Sequence, residues 1–310
     1  MNTFKTGLVI FAIGLYVSIT MYEYEMMSMG EGMSFILSIV LTLMFFSRWY
    51  SALFRSWLPG RTGTTKFVLG LLPPLSGAFI LYILKSWASY DVVNSDLYTA
   101  YYLIMGMAWL YLGLWSMSAV FDLSWVDDAL NMNNRAALFG MTGGLLGLTC
   151  IYAGANIGDG PGWWCVIFAG GLGGLAWLAL GLFVESLTSV FECVTVERDL
   201  GSGIRLGFYL FASGIILGRA SAGDWTSFEK TVVEFMDGWP VLFLAALAIV
   251  VERRYLRLDR SGEYVYLNTL SGSLLWGIIY LFFAAGSVML LPPLVENPLY
   301  KADAVLYRLL

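Results

Sequence analysis

The chain has 310 residues, of which 59% are hydrophobic and 13% charged, and its net charge is -5. A soluble domain needs about a quarter of its residues charged to cover its surface, so most of this surface has to face lipid. The acidic balance excludes a nucleic-acid partner, because phosphate binding needs a basic face. The sequence has no histidine, and Cys150, Cys165 and Cys193 stand apart without a CxxC pair. The commonest general base is therefore absent, no zinc motif is present, and no cofactor or metal is expected.

Apolar runs of the length that crosses a bilayer, about 20 residues, occur at 5–22, 33–53, 66–86, 98–121, 136–156, 163–185, 201–221, 239–252 and 265–291. The first lacks a small-residue cleavage site and leads into Glu23 and Glu25, so it reads as a retained helix rather than a signal peptide. The third contains Pro73-Pro74, which must kink or break it and free carbonyls that neighbouring groups have to satisfy. Glycines at 140, 143, 144 and 147, at 170, 171, 173 and 174, and at 203, 207, 214 and 218 recur at three- and four-residue steps. They predict close approach of the fifth, sixth and seventh spans, with a subunit interface or pore lining as the alternative use of those faces. The eighth run is short and is expected to begin near Val232, with Glu234 and Asp237 in its first turns. Pro292-Pro293 ends the ninth, and Trp49, Tyr50, Trp57, Trp87, Tyr90, Trp163 and Trp164 fit interfacial belts.

Cytoplasmic loops are enriched in Lys and Arg. With the N-terminus inside, the inner segments hold Lys5, Arg48, Arg55, Arg61, Lys66, Arg135, Arg198, Arg205, Arg253, Arg254, Arg257 and Arg260, and the outer ones only Lys85, Arg219, Lys230, Lys301 and Arg308. A cytoplasmic N-terminus and a periplasmic C-terminus are expected. Taken in pairs, the second to ninth spans form hairpins that recur every 65 to 70 residues or so. The expected organisation is an all-α integral membrane protein of about nine spans: a leading helix (1–30), then hairpins at 31–96, 97–161, 162–228 and 229–310, the last with a C-terminal tail. The match is clearest between the second and third hairpins. There Asn134-Arg135-Ala136-Ala137 corresponds to Asp199-Leu200-Gly201-Ser202, and Gly158-Asp159 to Gly223-Asp224.

These residues, together with the glycine-rich helix at 140–147 and the stretch 197–225, give the chain a resemblance to the YjfL-like family of small bacterial inner-membrane proteins, built on domain of unknown function 350. The resemblance covers about 97–225; at the second turn Asp199 stands where the family carries Asn, and Gly201 where it carries alanine. It implies a multi-pass protein of the bacterial inner membrane without established chemistry, in the company of envelope-stress and polyamine-linked genes.

A charge at the bilayer centre costs about 2.5 to 3.5 kcal/mol even on lenient scales, so polar residues near membrane depth are the candidate functional positions: Asn134, Glu185, Asp199, Arg205 and Arg219. Each has a structural alternative. Asn134 and Asp199 suit helix N-caps, and Arg205 and Arg219 can snorkel from helix ends. Asp127 and Asp128 lack a second anchored cluster and are expected to be solvated. The leading expectation is a non-enzymatic membrane component that contacts lipid, a second copy of itself, or a peripheral protein at its cytoplasmic turns. The alternatives are a channel or transporter using the broken third helix and the polar ends of the sixth and seventh, and an intramembrane enzyme.

Overall fold

The computed structural model describes residues 27–55, 63–258, 264–266 and 270–300. Among the described residues, eight helical segments are long and apolar enough to cross a membrane, and the protein is an all-α multi-pass membrane protein. The segments are α1 (Met29–Arg55), α2 (Gly63–Ser86), α4 (Asp96–Phe121), α5 (Arg135–Ala155), α6 (Trp163–Thr188), α8 (Leu200–Ala220), the run Phe228–Tyr255 and α11 (Leu270–Leu290). The run comprises α9 (Phe228–Phe235), a 3-10 turn and α10 (Pro240–Tyr255), so the eighth span does begin before Val232. Short elements join the spans: α3 (Tyr90–Asn94), a π-helix (Trp125–Asn131) and α7 (Val190–Thr195). The predicted span at 5–22 lies outside the described residues.

At the last connection the structure differs from the sequence reading. Leu256–Leu258 (β1) pairs antiparallel with Tyr264–Tyr266 (β2), and α11 starts only at Leu270. The tyrosine–valine–tyrosine alternation suits a two-residue period, which the apolar run from 265 had concealed.

The middle of the bundle is the crossing of α5 and α8, the two most buried spans. A Cβ at Gly143 would overlap the Gly207 carbonyl, one at Gly207 that of Phe139, one at Gly154 that of Gly218, and one at Gly218 that of Cys150. The backbones are thus in direct contact along their length, and only glycine permits it. Residue numbers rise together along the seam, from Ala136 against Gly203 to Gly154 against Gly218, so the two helices run parallel. The sixth span meets the prediction in part: in α6, a Cβ at Gly173 would stand 2.7 Å from Ile151 Cγ2 of α5 and 2.8 Å from Ser221 Oγ at the end of α8, whereas one at Gly171 would meet nothing within 4 Å and one at Gly174 only the Trp109 ring at 3.3 Å. The nearest neighbours of these α6 glycines are side chains, Ile151, Ser221, Ala155 and Trp109, so the contact is close without the backbone-on-backbone seam of α5 and α8.

The turns before α5 and α8 share their geometry. Asn134 N donates to Asp128 O at 3.0 Å and Asp199 N to Cys193 O at 3.0 Å; Met132 N donates to Asp127 O and Glu197 N to Glu192 O. Left-handed residues precede both caps, Asn133 (φ 49) and Arg198 (φ 57), and the opposite ends carry Gly158 (φ 110) and Gly223 (φ 133). Those opposite ends are stitched together, with Gly223 N on Ile157 O at 2.9 Å and Trp225 N on Asp159 O at 2.7 Å.

Pro73 and Pro74 do not break their helix; α2 is continuous from Gly63 to Ser86. Lacking amide hydrogens, they orphan the carbonyls four residues earlier, Leu69 and Gly70. The neighbouring α1 supplies both donors: Trp49 Nε1 donates to Leu69 O at 2.9 Å and Tyr50 OH to Gly70 O at 3.2 Å. Trp49 is therefore not an interfacial-belt residue. It is buried and stacked on Trp125 with ring centroids 4.0 Å apart.

Candidate functional site

Arg205 lies in the second turn of α8, where its long side chain reaches across to α10 and α11. Its Nε donates to Glu252 Oε1 at 2.6 Å and its Nη2 to Glu252 Oε2 at 2.7 Å, a two-pronged pairing of fork and carboxylate. Nη1 donates to Ser273 Oγ at 2.6 Å and Nη2 also to Ser202 Oγ at 3.0 Å. The guanidinium carbon sits 4.3 Å from the centre of the Tyr255 ring, a cation–π distance. Arg205 and Glu252 are 2% and 4% exposed, so neither charge depends on water. Removing two charges from water is costly, and the pair is tolerable because each lobe is matched by a donor or acceptor.

Asp199 N-caps α8, accepting from Ser202 N at 2.6 Å, and so fixes the turn that carries Ser202 to the guanidinium. Gly201 acquires a reason here: a Cβ would stand 3.0 Å from Ser273 Oγ and 3.2 Å from Arg205 Nη1, crowding the cluster. Beside the ion pair is a cavity of about 10 Å³, lined by Arg205, Glu252, Tyr209, Tyr280 and aliphatic neighbours. It has room for a single water. The Tyr209 and Tyr280 hydroxyls are buried and have no hydrogen-bond partner among the described residues.

Of the residues singled out from sequence, Asp199 and Arg205 meet in this cluster. Asn134 belongs to the adjoining turn. Its Oδ1 accepts from Ala136 N at 2.9 Å and Ala137 N at 3.2 Å, while its Nδ2 donates to Val194 O at 2.7 Å. It caps α5 and at the same time ties that turn to α7. Glu185, in the last turn of α6, accepts from Phe191 N at 2.7 Å and so anchors the start of α7. Arg219 lies at the far end of α8, its Nη2 donating to Pro292 O at 2.5 Å, and takes no part in the cluster. Sequence reading missed Glu252, Ser202, Ser273, Tyr255, Tyr209 and Tyr280. Glu252 falls on the buried face of Val251-Glu252-Arg253-Arg254 while both arginines are exposed, a feature of the packing that the local sequence does not mark.

At the opposite end, Asp159 N donates to Asp224 Oδ1 at 2.8 Å, Asn297 N to Asp224 Oδ2 at 2.8 Å, and Tyr90 N to Asp159 Oδ1 at 3.2 Å. Burial pushes the Asp159 carboxyl above its ordinary range; the Tyr90 amide opposes this, and the Asp224 charge adds to the rise. The acids here organise loop backbone. Among the described residues no group of three or more His, Cys, Asp or Glu is placed to hold a metal ion.

The cluster is chemically a charge clamp. A guanidinium saturated by a carboxylate and two hydroxyls has no proton to give at neutral pH, and it joins three helices near their ends, where α8 and α11 begin and α10 finishes. No family model matches the chain, and neither a curated protein nor a solved structure does.

Proposed function

We propose that the protein is a non-enzymatic component of a multiprotein, envelope-stress-type system of the bacterial inner membrane. In this reading it is built as one leading helix and four tandem hairpins, with a cytoplasmic N-terminus, and it holds a peripheral protein at its cytoplasmic turns. The observation that carries the reading is the Asn134 Nδ2 bond to Val194 O, which joins the π-helix turn and the α7 turn into one ordered surface. That surface exposes Asp122, Asp127, Glu192 and Glu197, with Arg198 held against Met132, and so suits a basic partner. The resemblance to the YjfL-like family at Asn134-Arg135-Ala136-Ala137 supports the same reading. A photo-crosslinker at Glu192, compared with one at lipid-facing Leu182, tests it in cells. A discrete protein adduct at Glu192, lost when Asp127 and Glu197 become Lys, is expected; adducts equal at both sites would overturn it.

The second reading is an ion or small-solute transporter. The continuity of α2 removes the broken helix on which part of it rested. What favours it is the buried ion pair beside the unpartnered Tyr209 and Tyr280 hydroxyls. Flux into proteoliposomes that is lost in Glu252→Gln would establish this reading over the first.

A further inference from the structure

A cavity of about 470 Å³ lies between α1, α4 and the π-helix, and it opens at the end of the bundle that carries most of the basic residues. Arg48 and Arg55 stand on one side of it, Trp115 and Ser118 on the other, and Ser124 and Asp127 at its end. We infer that this groove seats the headgroup of one anionic phospholipid, its phosphate between Arg48 and Arg55.

Three observations carry the assignment. Arg48 is held in place, Nη1 donating to Tyr111 OH at 2.9 Å, which leaves the rest of its guanidinium aimed at the groove. Neither Arg48 nor Arg55 forms an ion pair among the described residues, although Asp127 lines the same cavity. The Asp127 carboxylate is occupied instead by Ser124 Oγ at 3.2 Å and Asn131 Nδ2 at 3.5 Å. Two arginines without an ion-pair partner among the described residues, toward the end of a spanning helix, fit a phosphate diester in charge and in fork geometry. The surroundings fit the rest of a lipid: Trp115 is 68% exposed and Phe54 81%, placing apolar surface beside the arginines where acyl chains would run. The stacked Trp49 and Trp125 rings form a rigid wall, so the groove is formed before the ligand arrives.

Native mass spectrometry of the detergent-purified full chain tests this, with phosphatidylglycerol, phosphatidylcholine and inorganic phosphate each added separately. The wild type is expected to retain one phosphatidylglycerol at least ten-fold more strongly than phosphatidylcholine. The double variant Arg48→Gln with Arg55→Gln should lose that preference, while Arg254→Gln, an exposed arginine at the same end but outside the groove, should keep it. Ser118→Trp fills the groove with both charges intact and should lose the lipid as well, which guards against a folding defect in the arginine variant. Equal retention of the two lipids, equal loss in Arg254→Gln, or displacement by millimolar inorganic phosphate would each overturn the assignment, the last by making this a free-phosphate site.

Discussion

The two prolines of α2 and the two aromatic donors of α1 make a prediction that separates a hydrogen bond from its packing. Trp49→Phe removes the donor to the Leu69 carbonyl and part of the stacking on Trp125. Left without a partner, a buried carbonyl costs about 1 to 3 kcal/mol in proteins generally, whereas side-chain bonds inside membranes average about 0.6 kcal/mol. Pro73→Ala returns an amide hydrogen that reaches the same carbonyl, four residues back, so in that background Trp49→Phe should cost only the packing part. The coupling between the two substitutions is expected at about 1 kcal/mol. Reversible unfolding of the four proteins in mixed micelles measures it, with Tyr50→Phe and Pro74→Ala as a second cycle of smaller size, given the longer 3.2 Å bond. If Trp49→Phe costs the same in the wild type and in the Pro73→Ala background, the aromatic donors do not serve the proline-freed carbonyls, and the account of why α2 stays unbroken fails.

Other outcomes follow from the same geometry. Gly143→Ala should lower stability by about 1 to 3 kcal/mol, since its Cβ would meet the Gly207 carbonyl rather than a side chain that can turn aside; Gly171→Ala, which meets nothing, should be neutral or slightly stabilising in the same thermal assay. Glu252→Ala leaves Arg205 buried without its counter-charge and should cost about 3 to 5 kcal/mol, whereas joint replacement by Arg205→Met and Glu252→Leu should recover most of the loss in detergent unfolding. Asp159 binds its proton more tightly when folded than when unfolded, so its contribution to stability falls as pH rises from below 3.8 through its raised folded value. Asp159→Asn keeps the acceptor for Tyr90 and removes that fall; melting curves of variant and wild type should coincide at low pH and favour the variant above this window.

The spans, the caps at Asn134 and Asp199, and the need for donors near Pro73-Pro74 were legible because each rests on local chemistry: apolar length, an Asx residue before small residues, a missing amide hydrogen. The Arg205–Glu252 pair was not, because its members are 47 residues apart and nothing local marks which acid turns inward. Trp49 misled for the same reason, since an aromatic near a span's end looks alike whether it faces headgroups or a neighbour's carbonyl. The sixth span's glycines show that a small-residue stripe states an opportunity for contact, while the neighbours decide what fills it: Ile151 and Ser221 at Gly173, the Trp109 ring at Gly174 and nothing at Gly171.

The backbone-to-backbone seam of α5 and α8 also has an order in time. α8 begins 65 residues after α5, at 200 rather than 135, and a ribosome adding about 5 to 20 residues per second delivers it about 3 to 13 s later. Throughout that interval α5 sits in the membrane with its glycine groove uncovered, while α6 is threaded back across before the groove's own partner exists. In a membrane where several chains are emerging together, the α8 of a neighbour offers an identical fit. Exchange of α8 between two nascent chains is therefore the misassembly to which this architecture is most exposed, and the α5–α8 seam is the element whose timely closure commits each chain to folding on itself.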